Sequence, residues 1–433
     1  MSDRRFSFNI GSKLIPLAVV LLLLVVAPQL GLAQTFSFSV FYSFAGSPDG
    51  ANPYFGSLVR DGKGNLYGTT LNGGTAGYGT VFEVSEAGKE MMLYSFAGPP
   101  DGAYPYGGLV RDGKGNLHGT TAGGGIDSDS CRIFFLEGCG TVFAVSEKGV
   151  ETTPYRFVGP PDDGAIPYAG LVRDSTGNLY GTTDYGGGMN KGTVFVLTPS
   201  GVETSLYTFC SVSGCPDGAF PEGALFRDGK GDLYSTTNDG GSNCPPTGCG
   251  TVFELSSTQK ETVLHSFGGT DEGSTPHAAL IRGPKGYFYG TTYSGGAYSL
   301  GTVFELAKNS KNGWVNTLLY SFGGVTGDGS SPSAPLVLDK EGNFYGTTNS
   351  GGKLGYGTVF ELSPEPSDGC PGSSNVGTRW CETVLYSFTG GVDGANPHGG
   401  LVLDVQGNLY GATYGGGNSN CSGGCGVVFK LSR

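Results

Sequence analysis

Seven residues follow a proline at one register of this chain and differ from one another while their neighbours repeat: Tyr54, Tyr106, Tyr168, Glu222, His277, Ser333 and His398. Tyrosine rings stack on the apolar face of a sugar, and a carboxylate, imidazoles and a hydroxyl fix its polar groups. The set reads as a candidate ligand site, aromatic over the first three repeats and polar over the last four. His277, His398 and Glu222 also carry donor atoms suited to a divalent metal. They fall in different repeats, so their separation is not set by the sequence, and no metal or cofactor is assigned. The other two histidines, His118 and His265, replace tyrosines of repeated segments and belong inside the fold.

Linear catalytic signatures are lacking: there is no G-x-S-x-G elbow, no H-E-x-x-H and no phosphate loop ending in Gly-Lys-Ser/Thr. Turns such as Asp61-Gly62-Lys63-Gly64-Asn65 alternate oxygen-bearing side chains with glycine, as calcium loops do. They lack the further oxygens and the closing bidentate Glu, so they read as turns held by their own Asp and Asn side chains. Asp49, Asp101, Asp163, Asp217, Glu272, Asp328 and Asp393 share one repeated position, which suits a structural turn in every repeat. No catalytic residue is assigned.

The elements that must position these residues come from an internal repeat. Leu-Tyr-Gly-Thr-Thr or a close variant begins at Leu66, Leu117, Leu179, Leu233, Phe288, Phe344 and Leu409, at intervals of 51 to 65 residues. Around it stand three further segments, of the types Leu-Val-Arg-Asp, Gly-Thr-Val-Phe-Glu-Leu and Thr-Val-Leu-Tyr-Ser-Phe. Each is short, rich in Val, Leu, Tyr, Phe and Thr, and bounded by Gly, Asp or Asn, as strands are. Apolar residues lie on both faces, so a four-stranded unit must be sandwiched between two neighbours, and radial repetition achieves this. A parallel β-helix has much shorter coils. The expected fold is an all-β, seven-bladed β-propeller of four-stranded antiparallel blades. The 81 glycines and 12% aromatic residues suit many short strands joined by tight turns.

The ends predict how the ring closes. Residues 36–44 match the fourth strand of the repeat but precede the first complete unit, and the chain stops at Arg433 just after a third strand. The N-terminal strand 36–44 is therefore expected to complete the last blade and remove the open edge. Blade-linking Asp-Gly-Ala-x-Pro loops and the loops between second and third strands share one face, which is the expected binding face.

The pattern L-V-x-D-x-x-G-N-L-Y-G-T-T-x-x-G-G followed by G-T-V-F-E-L resembles the tandem repeat of the GloVer-type, choice-of-anchor proteins of bacteria, over essentially the whole mature chain. The resemblance implies an exported, propeller-like repeat protein and no particular activity. Members often end in a sorting anchor. This chain ends on a strand instead, which points to free secretion or a periplasmic location.

Residues 1–33 read as a signal peptide: Arg4, Arg5 and Lys13 precede the apolar run Leu14 to Val26, and Gly31-Leu32-Ala33 supplies small residues for cleavage before Gln34. An uncleaved anchor is the alternative, but the run is short for a span of about 20 residues. Residues 34–433 are then one propeller domain with no membrane span. The ten cysteines form five close neighbours: Cys131 with Cys139, Cys210 with Cys215, Cys244 with Cys249, Cys370 with Cys381, and Cys421 with Cys425. In an exported chain these are expected as disulfides, each a staple on a small loop. Zinc is disfavoured, because no pair is C-x-x-C and none has a histidine beside it. The net charge of −12 argues against nucleic acid as a partner. An extracellular or envelope binding or scaffold monomer is expected, its ligand a glycan or a protein. A propeller enzyme acting on extracellular polysaccharide, as hydrolase or lyase, is the alternative.

Overall fold

The computed structural model describes residues 36–131, 136–244, 248–309, 311, 313–365, 370 and 379–433. The signal-peptide reading of residues 1–33 lies outside them. Seven four-stranded antiparallel sheets form the blades, and four two-stranded sheets accompany them in the described chain. In blade 1 the strands run Val59–Arg60, Leu66–Thr70, Thr80–Val84 and Glu90–Ser95, in that order from the axis outward. Blade 7 takes Val402–Leu403, Leu409–Thr413 and Val427–Ser432 from the C-terminal end and its outer strand, Ser37–Ser43, from the N-terminal end. Ser37 pairs with Ser432 and Ser43 with Val427, so main-chain hydrogen bonds join the first and last parts of the chain as expected.

Each letter of Leu-Tyr-Gly-Thr-Thr has a physical task. In blade 1 Leu66 is buried in the core. The Tyr67 hydroxyl donates to Asp61 Oδ2 at 3.2 Å, and Asp61 Oδ1 accepts from the main-chain N–H groups of Lys63 and Asn65, which makes the Asp turn self-contained. Gly68 leaves room for the Phe82 ring, because a Cβ there would lie 2.6 Å from it. Thr69 donates to Gly107 O, just before the inner strand of blade 2, and Thr70 hydrogen-bonds Thr80 across its own blade at 2.7 Å. One threonine thus ties blade to blade and the next ties strand to strand.

Apolar burial between blades supplies the core. A phenylalanine at the end of each outer strand meets one in the third strand of the next blade, edge to face. The pairs are Phe44–Phe82, Phe96–Phe143, Phe157–Phe195, Phe209–Phe253, Phe267–Phe304, Phe322–Phe360 and Phe388–Phe429, with centroids 5.0 to 5.2 Å apart. Phe44 makes the closing contact with the same geometry as the other six.

All five expected cysteine pairs are disulfides: Cys131 bonds Cys139, Cys210 bonds Cys215, Cys244 bonds Cys249, Cys370 bonds Cys381, and Cys421 bonds Cys425. The reading of all five as loop staples needs correction at one residue. Cys381 belongs to the outer strand Trp380–Ser387 of blade 6, where it pairs with Ser363, so this bridge fastens a loop residue to a sheet. Cys215 lies in the link into blade 4, and its carbonyl accepts from the N–H groups of Gly218 and Gly241, which ties that link to another loop of the blade. Cys425 is fully buried in blade 7, and its carbonyl accepts from the Asn52 N–H at the entry to blade 1. Spacing along the chain showed the partners and not these main-chain ties. Among the described residues no helix is long and apolar enough to cross a membrane.

Candidate functional site

The residue before each repeated proline holds the site in place. Asn52, Tyr104, Ile166, Phe220, Thr275, Ser331 and Asn396 all adopt left-handed φ values of 53° to 59°. That conformation is unfavourable for side chains other than glycine and persists only where the surroundings enforce it. Two main-chain bonds do so in every blade. The Ile166 N–H donates to Cys139 O in the preceding blade, and Ile166 O accepts from the Asp184 N–H in its own blade. The clamp sends the following proline and its neighbour towards the axis. Just beyond them, glycine or alanine is required because inner strands crowd together: a Cβ on Gly107 would lie 2.6 Å from the Ala169 main chain.

A cavity of about 200 Å³ opens on the axis between these strands. Tyr168, Glu222, His277 and Ser333 of the predicted ring line it, together with Phe55 and apolar residues that lead into the inner strands, such as Leu109 and Leu171. Tyr54, Tyr106 and His398 do not line it. Tyr54 lies flat against His398, with centroids 4.4 Å apart, and edge-on to Tyr106 at 5.2 Å and Tyr414 at 5.2 Å. Tyr106 continues the aromatic run to Tyr168 at 4.6 Å. The predicted ring is thus divided into a packed arc of aromatic residues and an arc facing the cavity.

Phe55 was not legible from the proline register. Blade 1 reads Pro-Tyr-Phe-Gly-Ser-Leu where blade 2 reads Pro-Tyr-Gly-Gly-Leu, so it carries one extra residue. Counting back from Leu58 finds it. A second group of residues, directly after Gly-Thr-Thr or its variant, also escaped the sequence reading: Asp184, Asn238, Tyr293 and Tyr414 stand behind the ring. Their signal was the same variability at a fixed place in a constant motif.

These residues fix the polar arc. Glu222 Oε2 bonds His277 Nδ1, and Glu222 Oε1 accepts from Asn238 Nδ2 at 2.9 Å. Tyr293 meets His277 edge-on at 5.1 Å. Because an ionised carboxylate only accepts, Nδ1 carries the proton, and in the neutral ring Nε2 is left as an acceptor. Asp184 is almost wholly buried, and its Oδ1 has no hydrogen-bond partner. Burial, reinforced by the Glu222 charge, holds its carboxyl well above the usual carboxylate range. Burial and the neighbouring His277 push the His398 imidazole down to about 4. Burial also raises the hydroxyls of Tyr54, Tyr106 and Tyr168. Among the described residues no group of three or more His, Cys, Asp or Glu side chains is arranged to hold a metal ion.

The remaining histidines and the repeated acids lie in the blades and their links. His265 Nε2 bonds Glu272 at 2.7 Å, standing in for the tyrosine–aspartate bond that Tyr94 and Asp101 make at 2.9 Å. His118 Nε2 lies 3.6 Å from Asp112.

Fold and site together define a closed seven-bladed propeller with an axial cavity walled by aromatic rings and polar on one side. The chain belongs to the Gloeobacter/Verrucomicrobia repeat family, which it matches over residues 30–245 and 222–433. No curated protein sequence matches it. Among solved structures it is similar to a gluconolactonase from Xanthomonas campestris, at 12% identity and a TM-score of 0.42, over 92% of this chain and 89% of that one. A luciferin-regenerating enzyme is similar at 12% identity and a TM-score of 0.42, over 76% of this chain and 91% of that one. At this level the likeness carries no argument about activity.

Proposed function

We propose that this protein is an exported binding propeller whose axial cavity takes one hydroxylated unit of a glycan. The observation that carries the reading is a cavity lined by Phe55 and Tyr168 together with the bonded Glu222–His277 pair and Ser333. Rings that cover a sugar face and polar groups that meet its hydroxyls are what such a ligand needs. The cavity is smaller than the roughly 300–1,000 Å³ pockets that enclose drug-sized ligands, so a single terminal sugar is the fitting unit. Five disulfides support a location outside the cytoplasm. The protein acts there as a monomer.

The test is a glycan-array screen of residues 34–433 beside Tyr168→Ala and His277→Ala variants. Binding by the parent that both variants lose supports the reading. Binding that survives both removes it. A second reading, favoured by the Glu222 carboxylate that orients His277, is an enzyme acting on the same polysaccharide by hydrolysis or elimination, with His277 as base. New reducing ends or unsaturated products from an array ligand would establish it.

A further inference from the structure

We propose that the unit bound on the axis is an amino sugar with a free, protonated amine; the inference rests on the glycan reading above and names its ligand class. The charges at the cavity point one way. Its lining holds one carboxylate, Glu222, and neither lysine nor arginine. Asp239 is a second acidic group that feels the Glu222 charge, and the nearby cation, Lys191, stands 4.1 Å from the centre of the Phe220 ring. An anionic sugar would meet repulsion from Glu222 here without a lysine or arginine to offset it.

The hydrogen-bonding capacity points the same way. Glu222 offers oxygen lone pairs. His277, whose Nδ1 is engaged by Glu222, offers Nε2, which has no protein partner among the described residues. Ser333 Oγ is buried without a hydrogen-bond partner and can accept as well. An ammonium group carries three N–H donors and no acceptor, so it matches three acceptors where a hydroxyl supplies one donor. Phe55 and Tyr168 line the same space, and an aromatic lining favours a cation over a neutral group.

Calorimetric titration of the purified protein at pH 7 with glucosamine, glucose, N-acetylglucosamine and glucuronate tests this. Glucosamine should bind about tenfold or more tightly than glucose or N-acetylglucosamine, the worth of one charge-assisted hydrogen bond, and glucuronate should not bind. A folded Glu222→Gln variant should bind glucosamine no better than glucose. Ser333→Ala, a milder change, should weaken glucosamine about three- to tenfold and glucose by less than glucosamine. Equal or tighter binding of glucose, N-acetylglucosamine or glucuronate overturns the amine assignment and leaves the glycan reading standing. A tenfold preference that persists in Glu222→Gln, or in Ser333→Ala at full strength, also overturns it. Binding of none of the four overturns both.

Discussion

Replacing Glu382 by glutamine should change how the stability of this protein depends on pH. Glu382 lies in the outer strand Trp380–Ser387 of blade 6 and faces Asp328, in the link that enters that blade. Glu382 Oε1 and Asp328 Oδ1 are both buried without partners. Asp328 Oδ2 accepts from the Tyr320 hydroxyl and the Gly323 N–H, at 3.0 and 2.6 Å, so Asp328 is the better place for the charge and Glu382 for the proton. Burial first, and the Asp328 charge second, push Glu382 up to about 8 from an ordinary 4.5. The folded protein therefore keeps a proton that the unfolded chain releases. Its stability falls as pH rises from about 4.5 through about 8 and levels off above. At about 1.36 kcal/mol for each tenfold change in proton affinity, the loss reaches at most ~5 kcal/mol. Glutamine is neutral throughout and still has N–H groups to offer Asp328. Guanidinium unfolding at pH 5, 7 and 9 should show Glu382→Gln close to the parent at pH 5 and roughly 2–5 kcal/mol more stable at pH 9. Taking the difference between the two proteins isolates Glu382 from Glu90, Glu203 and Glu261, which burial and the same kind of acidic neighbour raise to about 7. Parallel stability curves for parent and variant would refute the reasoning.

Phe44→Ala removes one ring of the closing aromatic pair and should cost about 3–5 kcal/mol, read from the denaturant midpoint; a loss under ~1 kcal/mol would mean that the N-terminal strand does not close the ring. The His398 imidazole should titrate near pH 4 by side-chain NMR, against 6.5 for an ordinary histidine. Since its folded pKa is depressed, His398 withdraws stability as pH falls from about 6.5 towards 4, opposite in slope to the Glu382 effect. A midpoint above 6 would contradict its burial between Tyr54 and Tyr414.

Much of the architecture is legible in the sequence. Leu-Tyr-Gly-Thr-Thr repeats because each of its residues meets the same partner in nearly every blade, and such a constraint leaves a visible pattern. Blade 7 shows this by exception: Ala412 replaces the threonine that elsewhere ties one blade to the next, and Val427 replaces the partner of Thr413. The Asp turns were legible for the same reason, since Asp61 and Asn65 satisfy each other locally. The site was legible only as a ring of variable positions. Tyr54 followed the proline as its counterparts do, yet the extra residue in blade 1 turns Phe55 to the cavity and leaves Tyr54 packed on His398.

The sequence by itself determined the seven blades, their four strands, the borrowed N-terminal strand and the pairing of neighbouring cysteines. Each of these follows from contacts that are local or identically repeated. Only the tertiary structure decided which ring residues share one space, because that depends on distances across an axis that no spacing along the chain encodes. Glu222 and His277 stand 55 residues apart and bond through their side chains. Tyr54 and His398, from the first and last blades, stack because the ring closes. Closure is a property of all seven blade-to-blade angles together, and the arrangement of groups around the cavity follows from it.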